Sequence, residues 1–254
     1  MAITGDCKSP AFGHRWFESS PAHIITMDNI PKQYNKFSKT YSDNLEVQDE
    51  IGNKRFYEFL SSIDLKNKTL LDIGCGDGTD LVNFEKMGAV PSGIEPSEKF
   101  VKSAKEKSPH LTVLMGKGEE LTFPDKSFDI VVSKYALQTS PNVPKILDEA
   151  ARVLKSGGYF IFLTKHPLRQ FLEKINTYNS KDINYFEQKV VDSFIYENKI
   201  HLREPSHTMS EYFSKSVSEN FDLLDFLEDY DFPASEQING YTYPTFLVVK
   251  FVRR

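Results

Sequence analysis

The stretch from Leu70 to Leu81, LLDIGCGDGTDL, decides the fold. An apolar run meets Asp72, then passes Gly74, Gly76 and Gly78 within five positions, and restarts as a polar-to-apolar pattern. The run TLLDIG has the length and setting of a buried parallel strand. A strand that ends in glycines and opens a helix gathers backbone N–H groups and the positive helix end in one place. Without Cβ atoms, a ligand can approach closely. In open α/β sheets such turns mark the carboxyl ends of central strands, where ligands bind. A tight turn with no ligand is the competing reading. The G-x-G-x-G spacing flanked by Asp72 and Asp77 favours the ligand.

Outward from this loop, strand and helix patterns alternate. VPSGIE, LTVLMG, FDIVVSKY and YFIFLTK read as further strands. Ser97 can cap a helix carrying Phe100, Val101 and Ala104. Asn142 caps another, with Pro144 in its first turn and Val143, Ile146, Leu147, Ala150, Val153 and Leu154 along one face. Ser156, Gly157 and Gly158 are expected to end it. The alternation predicts an α/β fold: a Rossmann-like, seven-stranded, mostly parallel sheet with helices on both faces. FDLLDFL and TYPTFLVVKFV close it, the last expected antiparallel beside the fifth strand because no helix separates the two.

The 254 residues read as one domain. Residues 1–30 are expected to form an arm without sustained period, 31–165 the core, and 207–254 a C-terminal helix and strand pair. Residues 166–206 interrupt the rhythm and are aromatic-rich, so they are expected to form an inserted lid over the site. Thr208 and Glu211 have capping-box spacing. Thirty-one basic against thirty-six acidic residues give a net charge of −5, which disfavours a nucleic-acid partner. No apolar run approaches a membrane span, the N-terminus lacks a secretory h-region, and two cysteines make no framework. A cytoplasmic chain is expected; its oligomeric state is not readable.

Two ligand classes compete for the loop. A dinucleotide fold wants G-x-G-x-x-G, but Thr79 stands where the third glycine belongs. Asp72 and Asp77 would repel a pyrophosphate and tolerate a ligand with a cationic end. Glu95, ending the second strand, suits ribose hydroxyls in either class.

LLDIGCGDGTDL, GIEPS, and the stretch from Gly116 through KSGGYFIF together resemble class I S-adenosylmethionine-dependent methyltransferases, in the small-molecule branch that includes ubiquinone and menaquinone methyltransferases. The resemblance is close over residues 34–165. It implies S-adenosyl-L-methionine as cofactor and a small-molecule acceptor methylated on O, N or C. It places Asp72, Gly74, Gly76 and Asp77 around the methionine portion, Glu95 on the ribose, Pro96 beside the adenine, Gly118 and Glu119 at the adenine edge, and Ser133 beside the methionine. Tyr41 matches an aromatic that closes over the cofactor. Lys117 departs from the pattern: relatives carry an acid there, and a lysine has donors only. No metal ligands are assigned.

In-line methyl transfer asks chiefly for positioning and dry surroundings. Histidines are the bases that work at neutral pH without strong tuning. Of six, His166 follows the fifth strand and His207 precedes the capping box, and both resemble histidine positions in relatives. They are the candidate bases, His207 first. Methylation of a protein or RNA, a non-catalytic cofactor-binding module, and a dinucleotide oxidoreductase are the other readings.

Overall fold

The structure, a computed structural model, describes residues 30, 32–38, 50–180, 182–195, 200–232 and 237–254. Seven strands make one sheet: β1 (Thr69–Ile73), β2 (Val90–Glu95), β3 (Thr112–Met115), β4 (Phe128–Lys134), β5 (Leu154–Lys165), β8 (Phe221–Asp229) and β9 (Phe246–Arg253). Their order is β3-β2-β1-β4-β5-β9-β8, with β9 antiparallel to both neighbours. The expected insertion of the last strand beside the fifth is therefore present.

Side-chain alternation explains the double covering. Leu71, Phe160, Phe162, Leu247, Val249 and Phe251 pack on one face, with helix α4 (Val143–Val153). Leu70, Ile161, Leu163, Phe246 and Val248 pack on the other, with α1 (Glu50–Ser61) and α2 (Thr79–Lys86). A strand buried on both faces reads as a continuous apolar run, which is the pattern that gave β1 and β5 away. Helix α3 (Glu98–Lys107) is capped by Ser97, whose hydroxyl accepts from the Phe100 N–H, and Asn142 caps α4 through the Lys145 N–H.

Two local expectations are corrected. Helix α4 does not end on a left-handed glycine: the chain leaves it at Leu154 in extended conformation and enters β5 at once. Gly157, at φ 76°, instead serves an irregularity near the start of that strand, where the pairing register with β4 shifts. The helix after Thr208 is broken into α6 (Met209–Tyr212) and α7 (Lys215–Asn220), although the capping box is formed.

Residues 166–206 hold regular structure that their sequence did not announce. Helix α5 (Pro167–Tyr178) packs on a two-stranded antiparallel hairpin, β6 (Val190–Ile195) and β7 (Ile200–Pro205). A buried ionic cluster pins this unit to the end of β5: the Lys165 ammonium meets Glu204, Glu173 and Ser193, and Arg169 donates to Glu173 at 3.1 Å. A helical piece at 32–38 lies against β7, where the Gln33 amide brackets the Arg203 backbone at 2.9 Å in both directions.

Candidate active site

A cavity of about 420 Å³ opens at the carboxyl ends of β1, β2 and β4. Its floor is the loop Gly74-Cys75-Gly76-Asp77; Glu95 and Pro96 come from the end of β2, Gly118 and Glu119 follow β3, and Lys134 and Tyr135 end β4. Ile30 and Tyr34 contribute from the N-terminal segment. Seven of the residues singled out from the sequence, Gly74, Gly76, Asp77, Glu95, Pro96, Gly118 and Glu119, thus share one cavity. Tyr41 lies outside the described residues.

Each acid has a distinct setting. Glu95 is buried and accepts from two backbone N–H groups, Gly76 at 3.1 Å and Ser97 at 2.8 Å. Burial pushes its carboxyl up to about 7, against the pull of those two bonds. Asp77 accepts from the Thr79 N–H and hydroxyl and from Lys107 at 2.8 Å. Burial alone would raise it, but Lys107 and Thr79 outweigh that and hold it below the usual range. Its main work is to fasten the loop to the start of α2. Glu119 accepts from the Ser140 hydroxyl at 2.5 Å.

Asp72 stands behind the cavity wall and is 3% exposed. Its Oδ1 has no partner among the described residues. Burial and the nearby Asp80 charge hold its carboxyl well above the ordinary carboxylate range, with Lys134 pulling the other way. A buried acceptor without a donor is costly, so this atom marks a place where a donor from outside the chain is wanted.

Three expectations change. Ser133 does not face the cavity: it is fully buried and donates to the Ile73 carbonyl at 2.8 Å, holding the ends of β1 and β4 together. Among its described residues, the segment 166–206 supplies none to the cavity wall; it sits beside the turn after β4, with the Gln188 amide donating to the Pro141 carbonyl at 3.1 Å. The candidate bases are not at the cavity either. His166 caps α5 through the Leu168 N–H and pairs with Glu228 at 2.6 Å. Burial lowers its pKa while Glu228 raises it, the net being downward. His207 is 2% exposed, with Nδ1 3.1 Å from Glu211 and Nε2 3.2 Å from the Gln138 carbonyl. Both ring nitrogens are turned to these protein partners, so neither is directed at the cavity. His207→Gln is accordingly expected to cost about 1–3 kcal/mol of stability, the range for a buried group losing its partner, and to leave cofactor affinity unchanged. Urea unfolding and calorimetry check the two halves.

A polar group of residues that sequence reasoning missed lines the β4 side of the cavity: Asn53 and Tyr57 from α1, Asp80 and Asn83 from α2, and Lys134. Lys134 pairs with Asp80 at 2.6 Å and donates to Asn53 at 2.8 Å, and the Tyr57 hydroxyl donates to Asp80 at 2.5 Å. The available signal was the polar row Glu50, Asn53 and Tyr57 along one side of α1, each about one turn from the next.

Residues 71–162 match the model of a family described as a methyltransferase domain. Over these residues the chain is similar to a methyltransferase domain. It is 34% identical over 104 residues to a demethylmenaquinone methyltransferase of Tropheryma whipplei, covering 39% of this chain and 43% of that one. It is 29% identical over 130 residues to a phthiotriol/phenolphthiotriol dimycocerosates methyltransferase of Mycobacterium tuberculosis, covering 48% of each. The chain thus spans about half the length of the curated relatives it matches. An S-adenosylmethionine-dependent methyltransferase structure from Mesorhizobium loti superposes with a TM-score of 0.60 at 20% identity, over 78% of this chain and 96% of that one. At that identity it speaks for the fold. Most of the cavity lining falls within the matched residues, but Ile30, Tyr34, Glu50, Asn53 and Tyr57 precede them, and α5, the hairpin and the β8–β9 pair lie beyond them.

Proposed function

We propose that this chain is an S-adenosylmethionine-dependent methyltransferase acting on a small molecule. The observation that carries the reading is the acidic character of a glycine-floored cavity: Glu95 inside it and Asp72, with an unpartnered oxygen, just behind it. A pyrophosphate there would face desolvated carboxylates; a ligand with a ribose and a cationic end would be welcome. S-adenosylmethionine has both, and the residues present fit it. Glu95 would take the ribose hydroxyls, Pro96 and Gly118 would flank the adenine, and Asp72 and Asp80 would face the amino-acid end. Lys117 lines the cavity beside Gly118, and Glu119 supplies the acceptor that Lys117 lacks.

When bound, that cofactor supplies an electrophilic methyl carbon on a sulfonium. The chain's contribution is to hold the acceptor atom in line, about 3–3.5 Å from that carbon, and to keep water away. Ile30 and Tyr34 line the cavity and would provide the cover expected of 166–206. The relatives' names point to small organic acceptors, and the net charge of −5 disfavours RNA. No helix among the described residues is long and apolar enough to cross a membrane. A reducing cytoplasm suits Cys75, which is a buried free thiol.

Calorimetry with S-adenosylhomocysteine beside NAD tests the reading. The methyltransferase product should bind and NAD should not. Binding of NAD without S-adenosylhomocysteine would return the chain to the dinucleotide class.

A further inference from the structure

We propose that Lys134 and Asp80 form a side-chain receptor for the α-amino-acid end of the cofactor, with Lys134 selecting the carboxylate. This rests on the cofactor reading above. Its first ground is that five of the loop's backbone donors are already engaged. Gly74 and Cys75 donate their N–H groups to the Ile94 carbonyl, Gly76 to Glu95, Gly78 to the Cys75 carbonyl and Thr79 to Asp77. A carboxylate arriving at this loop therefore cannot be held by those five amides without breaking bonds that define the loop.

Among the described residues, two cationic side chains line the cavity, Lys117 and Lys134. They lie at opposite ends. Lys117 follows β3 and Lys134 ends β4, and the order β3-β2-β1-β4 places three strand spacings between them, about 14 Å. Glu95, the ribose ligand at the end of β2, stands on the Lys117 side. An extended adenosyl amino acid with its ribose at Glu95 and its adenine toward β3 reaches β4 with its amino-acid end.

At β4 the ammonium of Lys134 has three protons. Two are placed, on Asp80 and Asn53, and the third has no hydrogen-bond partner among the described residues. Asp80 is steadied by the Tyr57 hydroxyl and so keeps its position when Lys134 turns toward a ligand. The charges then exchange in a balanced way: the ligand carboxylate faces Lys134, its ammonium faces Asp80, and the four charges sum to zero. Asp72 supplies the independent sign that a cation belongs here. Its buried Oδ1 lacks a donor, and the charges bearing on it most strongly are those of Asp80 and Lys134.

The test compares three ligands by calorimetry: S-adenosylhomocysteine, its decarboxylated analogue, which keeps the amine, and 5′-methylthioadenosine, which lacks the whole amino-acid end. Wild-type protein should prefer S-adenosylhomocysteine over the decarboxylated analogue by about tenfold to a hundredfold, the range for a hydrogen bond to a charged group. Lys134→Met should erase that preference while leaving affinity for 5′-methylthioadenosine unchanged. Lys134→Arg, which keeps the charge if the methionine variant folds poorly, should retain most of it. A wild-type protein that binds S-adenosylhomocysteine with no preference over the decarboxylated analogue, or a methionine variant that keeps the preference, overturns the role of Lys134 alone. A wild-type protein that binds none of the three removes the cofactor reading and this inference together.

Discussion

Gly74→Ala is expected to lose about 2–5 kcal/mol of folding stability, the sum of a left-handed backbone penalty and a core overlap. Gly74 has φ 81°, a region that L side chains seldom adopt. A Cβ built on it would lie 2.3 Å from the Ala136 Cβ, in the turn that follows β4. That turn cannot retreat cheaply, because the Tyr135 N–H is bonded to the Leu163 carbonyl at 2.7 Å and Gln138 is tied to Thr164. Gly76 is the matched control. Its φ is 53°, but an added Cβ would meet nothing within 4 Å. Gly76→Ala should therefore cost only the backbone part, about 1–2 kcal/mol. Urea unfolding of the two variants side by side measures the difference, and equal losses would show that the contact with Ala136 is relieved by a small shift. Adenosyl-ligand binding should fail in the Gly74 variant well before it fails in the Gly76 variant, since the displaced turn also carries Tyr135.

The contrast shows what a sequence can and cannot disclose. The glycine spacing of 74–78 and the two-faced apolar runs of β1 and β5 are local signals, each fixed by the backbone geometry of a single element. They indicated the α/β fold, while the missing helix between the two closing strands indicated the antiparallel last strand, and Glu95 was found from its place at the end of the second strand. Where residues 166–206 go is a different kind of question. Their aromatic residues pair with one another, as Phe171 does with Tyr185, which fits a free-standing lid as well as a docked helix and hairpin. The decision rests on Lys165 meeting Glu173 and Glu204, up to 39 residues away, and no local pattern encodes that. His207 failed for a related reason. The capping box does fix where α6 starts, but the ring direction follows from the Gln138 carbonyl 69 residues earlier. The Lys134 network was missed because its members come from three elements whose proximity only the sheet order reveals.

Glu95→Ala is expected to weaken S-adenosylhomocysteine binding roughly tenfold to a hundredfold at pH 8, since it removes a charged acceptor for the ribose. The pH dependence follows from the state of this carboxyl. Burial raises it from 4.5 to about 7 in the unliganded protein. The folded chain therefore holds a proton that the unfolded chain has released between those values, so this group's contribution to stability is full below about pH 4.5 and is lost as pH rises through 7. Ligand binding runs the other way. Two ribose hydroxyls donate best to the ionised form, which favours deprotonation in the complex. Affinity of the wild-type protein should thus increase from pH 6 to pH 8 while its unliganded stability declines over the neighbouring window. In Glu95→Ala the binding step near pH 7 should disappear, leaving only what Asp72 contributes. Calorimetry at both pH values, with circular dichroism to confirm the fold, reads both effects. An unchanged affinity at pH 8 in a folded variant would mean that the ribose does not sit on Glu95, and that this buried carboxylate serves only to brace Gly76 and Ser97.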